Sequence, residues 1–115
     1  MQEKRFISFE QELLKQFTLV STKVLKKIDS TSFLSPVRIK LSKDISFADI
    51  FLSIFPDKTA KKNFVLLNDR IKEIQGELFR KMAGRKFPEI RLHLDDSIKY
   101  EDKISTILKK VGGLD

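Results

Sequence analysis

The chain has 115 residues, 41% of them hydrophobic with ten Phe, and a net charge of +7 from 23 Lys and Arg against 16 Asp and Glu. This length suits one domain with its own core, taken as residues 1–115 with flexible ends expected at 1–7 and 112–115. Without cysteine the chain can form no disulfide, zinc–thiolate site or cysteine nucleophile; no apolar run nears the roughly 20 residues of a membrane span and no signal peptide is evident, so a cytoplasmic protein attracted to polyanions is expected.

The first helix is predicted from Ser8, which pairs with Gln11 as a capping box. Apolar residues then recur at Phe9, Leu13, Phe17, Val20, Val24 and Ile28, in steps of three and four. Lys23, Lys26 and Lys27 crowd its end, where the helix dipole favours cations. Residues 29–32, Asp-Ser-Thr-Ser, are turn material.

Two strands follow. Residues 37–42 alternate strictly between apolar and polar, which predicts one buried and one wet face. Lys43 and Asp44 make the turn. The second strand, residues 47–55, carries Ile50, Leu52 and Ile54 on one face and Phe51 and Phe55 on the other, a pattern suited to a central strand. The three prolines, Pro36, Pro56 and Pro88, stand at apparent element boundaries.

Ala60, Phe64, Leu67, Ile71, Ile74, Leu78 and Met82 trace a helical stripe over residues 59–83. One straight helix of that length would run nearly 40 Å at about 1.5 Å per residue, longer than a small domain of ~30 Å, so a break is expected. By propensity alone the weak point is Gly76, at roughly 1 kcal/mol against Ala. Gly84 reads as a helix stop. A third alternating strand occupies residues 89–94. A short C-terminal helix is predicted around Ile104, Ile107, Leu108 and Val111, with Gly112 behind it. The second and third strands are joined through helix, which permits a crossover that sets them parallel, with helices over one face of the sheet.

Little here suits catalysis. His93, the one histidine, lies mid-strand and reads as a half-exposed residue of the polar face. It has no Cys or second His for a metal site or nucleophile relay. Asp95, Asp96 and Ser97 suit a turn or helix cap better than a cation site. Lys58-Thr59 lacks the glycine framework of a phosphate loop. No enzyme activity, metal, cofactor or small-molecule substrate is expected.

Basic residues suit a different task. The candidate RNA-binding side chains are Arg80, Lys81, Arg85 and Lys86, with Arg70, Lys72, Lys61 and Lys62, and Lys58 beside them. Neutralising phosphates with such donors releases counterions, which drives binding; the alternative is an ordinary solvated helix face. Arg38, Lys40, Arg91 and His93 should share the polar face of the sheet, with Phe51 among them. That set could stack single-stranded bases, although the four-strand layout of an RRM is absent and a tail or loop over Phe51 is the preferred reading.

The chain resembles the ribosome-binding factor A family. The family form V-x-V-S-x-D-L-x-x-A-x-V-x-x-S is similar to residues 39–53, which include Ser42, Asp44, Ala48 and Ser53. The family's V-P-E-L and D-D-S-I are matched by Phe87-Pro88-Glu89-Ile90 and Asp95-Asp96-Ser97-Ile98. The resemblance covers about residues 10–111. It implies an α+β, KH-like fold of type II, α-β-β-α-α-β, with a kinked helix pair in place of a G-x-x-G clamp. It also implies a non-catalytic assembly factor, acting in late maturation of small-subunit rRNA and important in the cold. The partners so implied are small-subunit rRNA and the free small ribosomal subunit, bound by a monomer. The family's A-x-G kink aligns with Arg70-Ile71-Lys72, which has neither Ala nor Gly and moves the expected break away from Gly76. Asp29-Ser30-Thr31 stands in place of the family's D-P-R. The rival readings are a nucleic-acid module unrelated to ribosomes and a basic protein-interaction domain.

Overall fold

A computed structural model describes residues 2–82 and 86–95, with side chains from residue 8 onward. Its elements are α1 (Gln2–Ile28), β1 (Phe33–Leu41), β2 (Phe47–Phe55), α2 (Asp57–Asn68), α3 (Ile71–Lys81) and β3 (Glu89–Leu94). The expected C-terminal helix lies outside the described residues, as do Gly84, Asp96, Ser97 and Gly112.

α1 is 27 residues long and starts well before Ser8, so the predicted capping box is a mid-helix pair instead. Its apolar stripe packs as expected: Phe9, Leu13, Phe17, Val20 and Val24 are buried. The helix ends in a polar hub. The Asp29 carboxylate accepts from the backbone N–H and hydroxyl of Thr31, the hydroxyl of Ser32 and the side-chain amide of Asn63. Asn63 also donates to the Ser32 hydroxyl at 2.8 Å and is itself buried. The turn after α1 is thereby fastened to α2.

The sheet has the order β1-β2-β3, with β1 antiparallel and β3 parallel to β2. Ala48, Ile50, Leu52 and Ile54 of β2 face the helices and are buried, joined by Leu34, Ile90 and Leu92 from the flanking strands. β1 begins four residues earlier than predicted, and Pro36 lies inside it. An edge strand tolerates proline because its outer N–H needs no partner. The register shifts between Pro36 and Arg38, leaving Val37 exposed rather than buried; Leu34 takes the core position.

The tight turn between β1 and β2 is built from Ser42 and Asp44. The Ser42 hydroxyl donates to Asp44 and accepts from the N–H groups of Ser46 and Phe47. Asp44 also accepts from the Ser46 N–H. Ile45, at the crest, has φ 60, a left-handed conformation that a β-branched side chain rarely adopts.

The long helical stripe does break, at Asp69 and Arg70. Asn and Asp are weak helix formers, and Leu67 before the break and Ile74 after it are both buried in the core. Asp69 (φ −63, ψ −19) and Arg70 (φ −102, ψ 20) stay at negative φ. The corner therefore requires no glycine, which explains how Arg70-Ile71-Lys72 replaces a family A-x-G. Gly76, the weak point by propensity, lies inside α3. Gln75 then ties α3 to β3: its amide donates to the Pro88 carbonyl and accepts from the Ile90 N–H.

Two variants test this packing. A Cβ at Gly76 would meet only Nη1 of Arg80, at an ordinary 3.5 Å. Gly76→Ala should therefore stabilise the domain by about 1 kcal/mol, read as a higher urea midpoint; a lower midpoint would contradict the placement of Gly76 in a regular helix. Asn63→Ala should cost about 2 kcal/mol by leaving the hub short of a buried donor, and a midpoint equal to that of the parent protein would show the hub to be dispensable.

Candidate nucleic-acid interface

The buried residues of α2, Ala60, Asn63 and Leu67, lie on one side of the helix. Lys58, Lys61 and Lys62 therefore fall on the other, all exposed, together with Val65 and Leu66. Beyond the corner, Ile74 and Leu78 bury the inner face of α3, while Lys72, Arg80 and Lys81 are exposed. Two helices meeting at a corner thus carry one run of cations along their solvent side. Carboxylates temper it locally. Arg70 pairs with Glu73 at 3.5 Å, both half in water, and Glu77 takes Lys23 of α1 at 2.7 Å.

Of the basic group at 80–86, Arg80 and Lys81 close α3. The exposed Lys86 donates its amine at 2.8 Å to the Asp44 carbonyl in the β1–β2 turn. Arg85 lies outside the described residues. Phe79 is half exposed and meets Phe87 edge-on at 6.1 Å, so an aromatic pair stands between the end of α3 and the approach to β3.

Among the described residues, no helix covers the opposite face of the sheet. Arg38, Lys40, Arg91, His93 and Phe51 share it as expected, because Phe51 lies opposite Arg38 and His93, and Asp49 opposite Lys40 and Arg91. Phe47 and Asp49 belong with them. Arg91 grips Asp49 through Nε and Nη2, both at 2.9 Å, and its guanidinium lies 4.2 Å from the Phe47 ring centre. His93 Nε2 lies 2.7 Å from the same carboxylate. Period-two alternation along β2 puts Phe47, Asp49 and Phe51 on one side, so this signal was present in the sequence. Phe33, paired with Phe55 at 5.2 Å, was hidden because Pro36 reads as a boundary.

A family model described as Ribosome-binding factor A matches residues 7–108. The chain belongs to the ribosome-binding factor A family. A Clostridium botulinum member (strain Eklund 17B / Type B) is 30% identical over 103 residues, covering 88% of this chain and 89% of the relative. One from Buchnera aphidicola subsp. Acyrthosiphon pisum (strain Tuc7) is 33% identical over 104 residues, 88% and 87% of the two chains. The crystal structure of ribosome-binding factor A from Thermus thermophilus shares the fold, with TM-score 0.54 and 16% identity over 74% of this chain and 94% of that one. A Thermotoga maritima protein with a solution structure matches at TM-score 0.59 and 25% identity, over 76% and 83%. The α-β-β-α-α-β domain is accordingly KH-like, its mixed three-stranded sheet covered by helices on one face.

Within this family pattern, the motif that carries the likeness is structural here. Ser42 and Asp44 close a turn, and Ala48 is core. Among the described residues, no three His, Cys, Asp or Glu side chains are grouped to hold a metal, and no helix is long and apolar enough to cross a membrane.

Several carboxylates titrate below their usual range. Hydrogen bonds from Ser46, then Ser42, lower Asp44 to about 2. Thr31 and Asn63 hold Asp29 well below that range. Arg91 lowers Asp49, and Lys23 lowers Glu77. A depressed carboxylate stabilises the fold above its unfolded pKa and loses that contribution as pH falls through its folded one. Stability should therefore be level above pH ~5 and decline from about pH 4 toward 2. Urea midpoints measured across that range check this, and the double variant Asp29→Asn/Asp44→Asn should flatten the decline; an unchanged profile would assign the acid sensitivity to other groups.

Proposed function

We propose that this chain is a small-ribosomal-subunit assembly factor that binds small-subunit rRNA on free subunits and catalyses no reaction. The observation that carries this reading is the family match across residues 7–108. The family's name is that of a ribosome-binding factor, and a monomeric cytoplasmic protein acting in late maturation and in the cold fits it. The exposed cations of α2 and α3 suit the partner, since most protein contacts to structured RNA go to phosphates and set position.

In this reading the cornered helix pair seats in a groove of the rRNA. Lys61 and Lys62 meet phosphates along one arm, and Lys72, Arg80 and Lys81 along the other, with Arg85 and Lys86 completing the set. Arg70 sits at the corner, where Glu73 holds it by a loose 3.5 Å contact that a phosphate can replace. Occupancy then keeps a local rRNA fold from premature use. No bond is made or broken, so the activity is set by affinity and by release.

Co-sedimentation with purified free small subunits tests the reading: the protein should track with them at low salt and leave as salt rises. Substituting Arg80, Lys81, Arg85 and Lys86 with Glu should abolish rRNA binding while circular dichroism stays unchanged. Removing each phosphate contact should also lower the salt slope by about one. Undiminished affinity of that variant would move the interface off the end of α3, and failure to track with small subunits at any salt would defeat the assembly role.

A further inference from the structure

The sheet face that none of the described helices covers has an organisation that phosphate binding along α2 and α3 leaves unused. Side chains stand on it in rows that cross the strands. One row is Arg38, Phe51 and His93; the next is Lys40, Asp49 and Arg91; Phe47 and Glu89 follow. In the first row the Phe51 ring is flanked from both neighbouring strands. The Arg38 guanidinium lies 4.2 Å from its centre, and the His93 ring stacks at 4.7 Å and 19°. The result is a layered stack of guanidinium, benzene and imidazole.

Two features make this stack more than a solvated strand face. It ends on edge strands on both sides, because β1 and β3 are the outer strands of the sheet. Arg38 is exposed and the His93 side chain is 42% accessible. The stack is also set in place beforehand. Asp49 fixes His93 at 2.7 Å and Arg91 through two contacts, and Arg91 in turn covers Phe47. Groups already ordered lose less entropy when a ligand arrives.

We infer that this face is a second RNA site, where unpaired bases of a single strand extend the Arg38–Phe51–His93 stack at its two open ends. The inference rests on RNA being the partner, as proposed above. Charge supports the choice of occupant. Arg38 and Lys40 are exposed here, whereas Asp49 is spent on Arg91 and His93, which leaves Glu89 as the opposing carboxylate within these rows. A strand that lays its bases on flat groups also brings phosphates to the flanking cations. A duplex keeps its base faces inside its own stack and has none to offer. An apolar protein surface would have to bury Arg38 and Lys40 without partners, which costs more than the rings return. The domain would then hold structured RNA on its helices and an unpaired segment on its sheet.

The test uses the full chain and fluorescein-labelled, unstructured RNA of about ten nucleotides, the size range of single-strand sites, beside a duplex of equal length. Arg38→Ala and His93→Ala should each weaken single-strand binding about tenfold, within the range for losing one stacked base, and leave duplex binding unchanged. Arg38→Lys separates stacking from charge: it keeps the cation, removes the plane, and should lose affinity as Arg38→Ala does. His93→Phe keeps the plane and should bind like the parent protein. Amide shifts of the parent protein, independent of any variant's folding, should map to residues 38, 51 and 93 on adding the oligonucleotide. Shifts confined to α2 and α3, or full affinity in Arg38→Lys, would overturn the sheet site while leaving the rRNA reading intact. Absence of binding to any RNA, small-subunit rRNA included, would overturn both. Contacts in the RNA-free protein between this face and residues 96–115, or its occupation by a ribosomal protein instead of RNA, would assign the face to another occupant.

Discussion

β2 is the strand on which the domain is organised. Ala48, Ile50, Leu52 and Ile54 are buried on the face that α1, α2 and α3 cover. Burying apolar surface is the main stabilising term for a chain of this size, and β2 contributes to it between two hydrogen-bonded neighbours. The helices must therefore present Leu13, Phe17, Leu67, Ile74 and Leu78 to one surface. The corner at Asp69 and Arg70 serves the same end, because one straight helix over residues 59–83 would run nearly 40 Å at about 1.5 Å per residue, past the edge of so small a sheet.

Polar contacts complete this packing where apolar ones end. Asp29, Ser32 and Asn63 join the end of α1 to α2, Gln75 joins α3 to β3, and Ser42 with Asp44 closes the β1–β2 turn. At the first two sites the side chain satisfies part-buried polar or backbone groups, and at the third it fixes an exposed turn. Ser42 and Asp44, which belong to the family motif, thus hold the frame, while Lys61, Lys62, Lys72, Arg80 and Lys81 are left to solvent. Lys86 belongs partly to the frame, since its amine closes on the Asp44 carbonyl.

The two faces of the molecule differ in kind. On the helix side, flexible cations stand on exposed turns, an arrangement suited to phosphates and tolerant of their spacing. On the sheet side, Asp49 locks Arg91 and His93, and Phe51 is held between Arg38 and His93. A locked, layered surface selects shape and flatness more than charge.

Much of the fold was legible in the residues. Period-two alternation gave β2 and β3 to the residue, and the three-and-four spacing gave the buried stripe of α1 and of the α2–α3 pair, since burial on one face imposes those periods. The helix break was misplaced by propensity, which points to Gly76, and recovered by family alignment, because a corner made at negative φ leaves no mark in glycine. The start of β1 was missed because Pro36 reads as an end, whereas only its place on an edge strand makes it harmless. The capping box at Ser8 failed because local pairing cannot say whether a helix continues upstream. By itself the sequence determined the periodic elements, the basic excess, the lack of cysteine and the family. Tertiary structure alone decided that the Lys86 amine meets the Asp44 carbonyl, and that Arg38, Phe51 and His93 form one stack. Those contacts join residues far apart in the chain, and only strand register brings them within reach of one another.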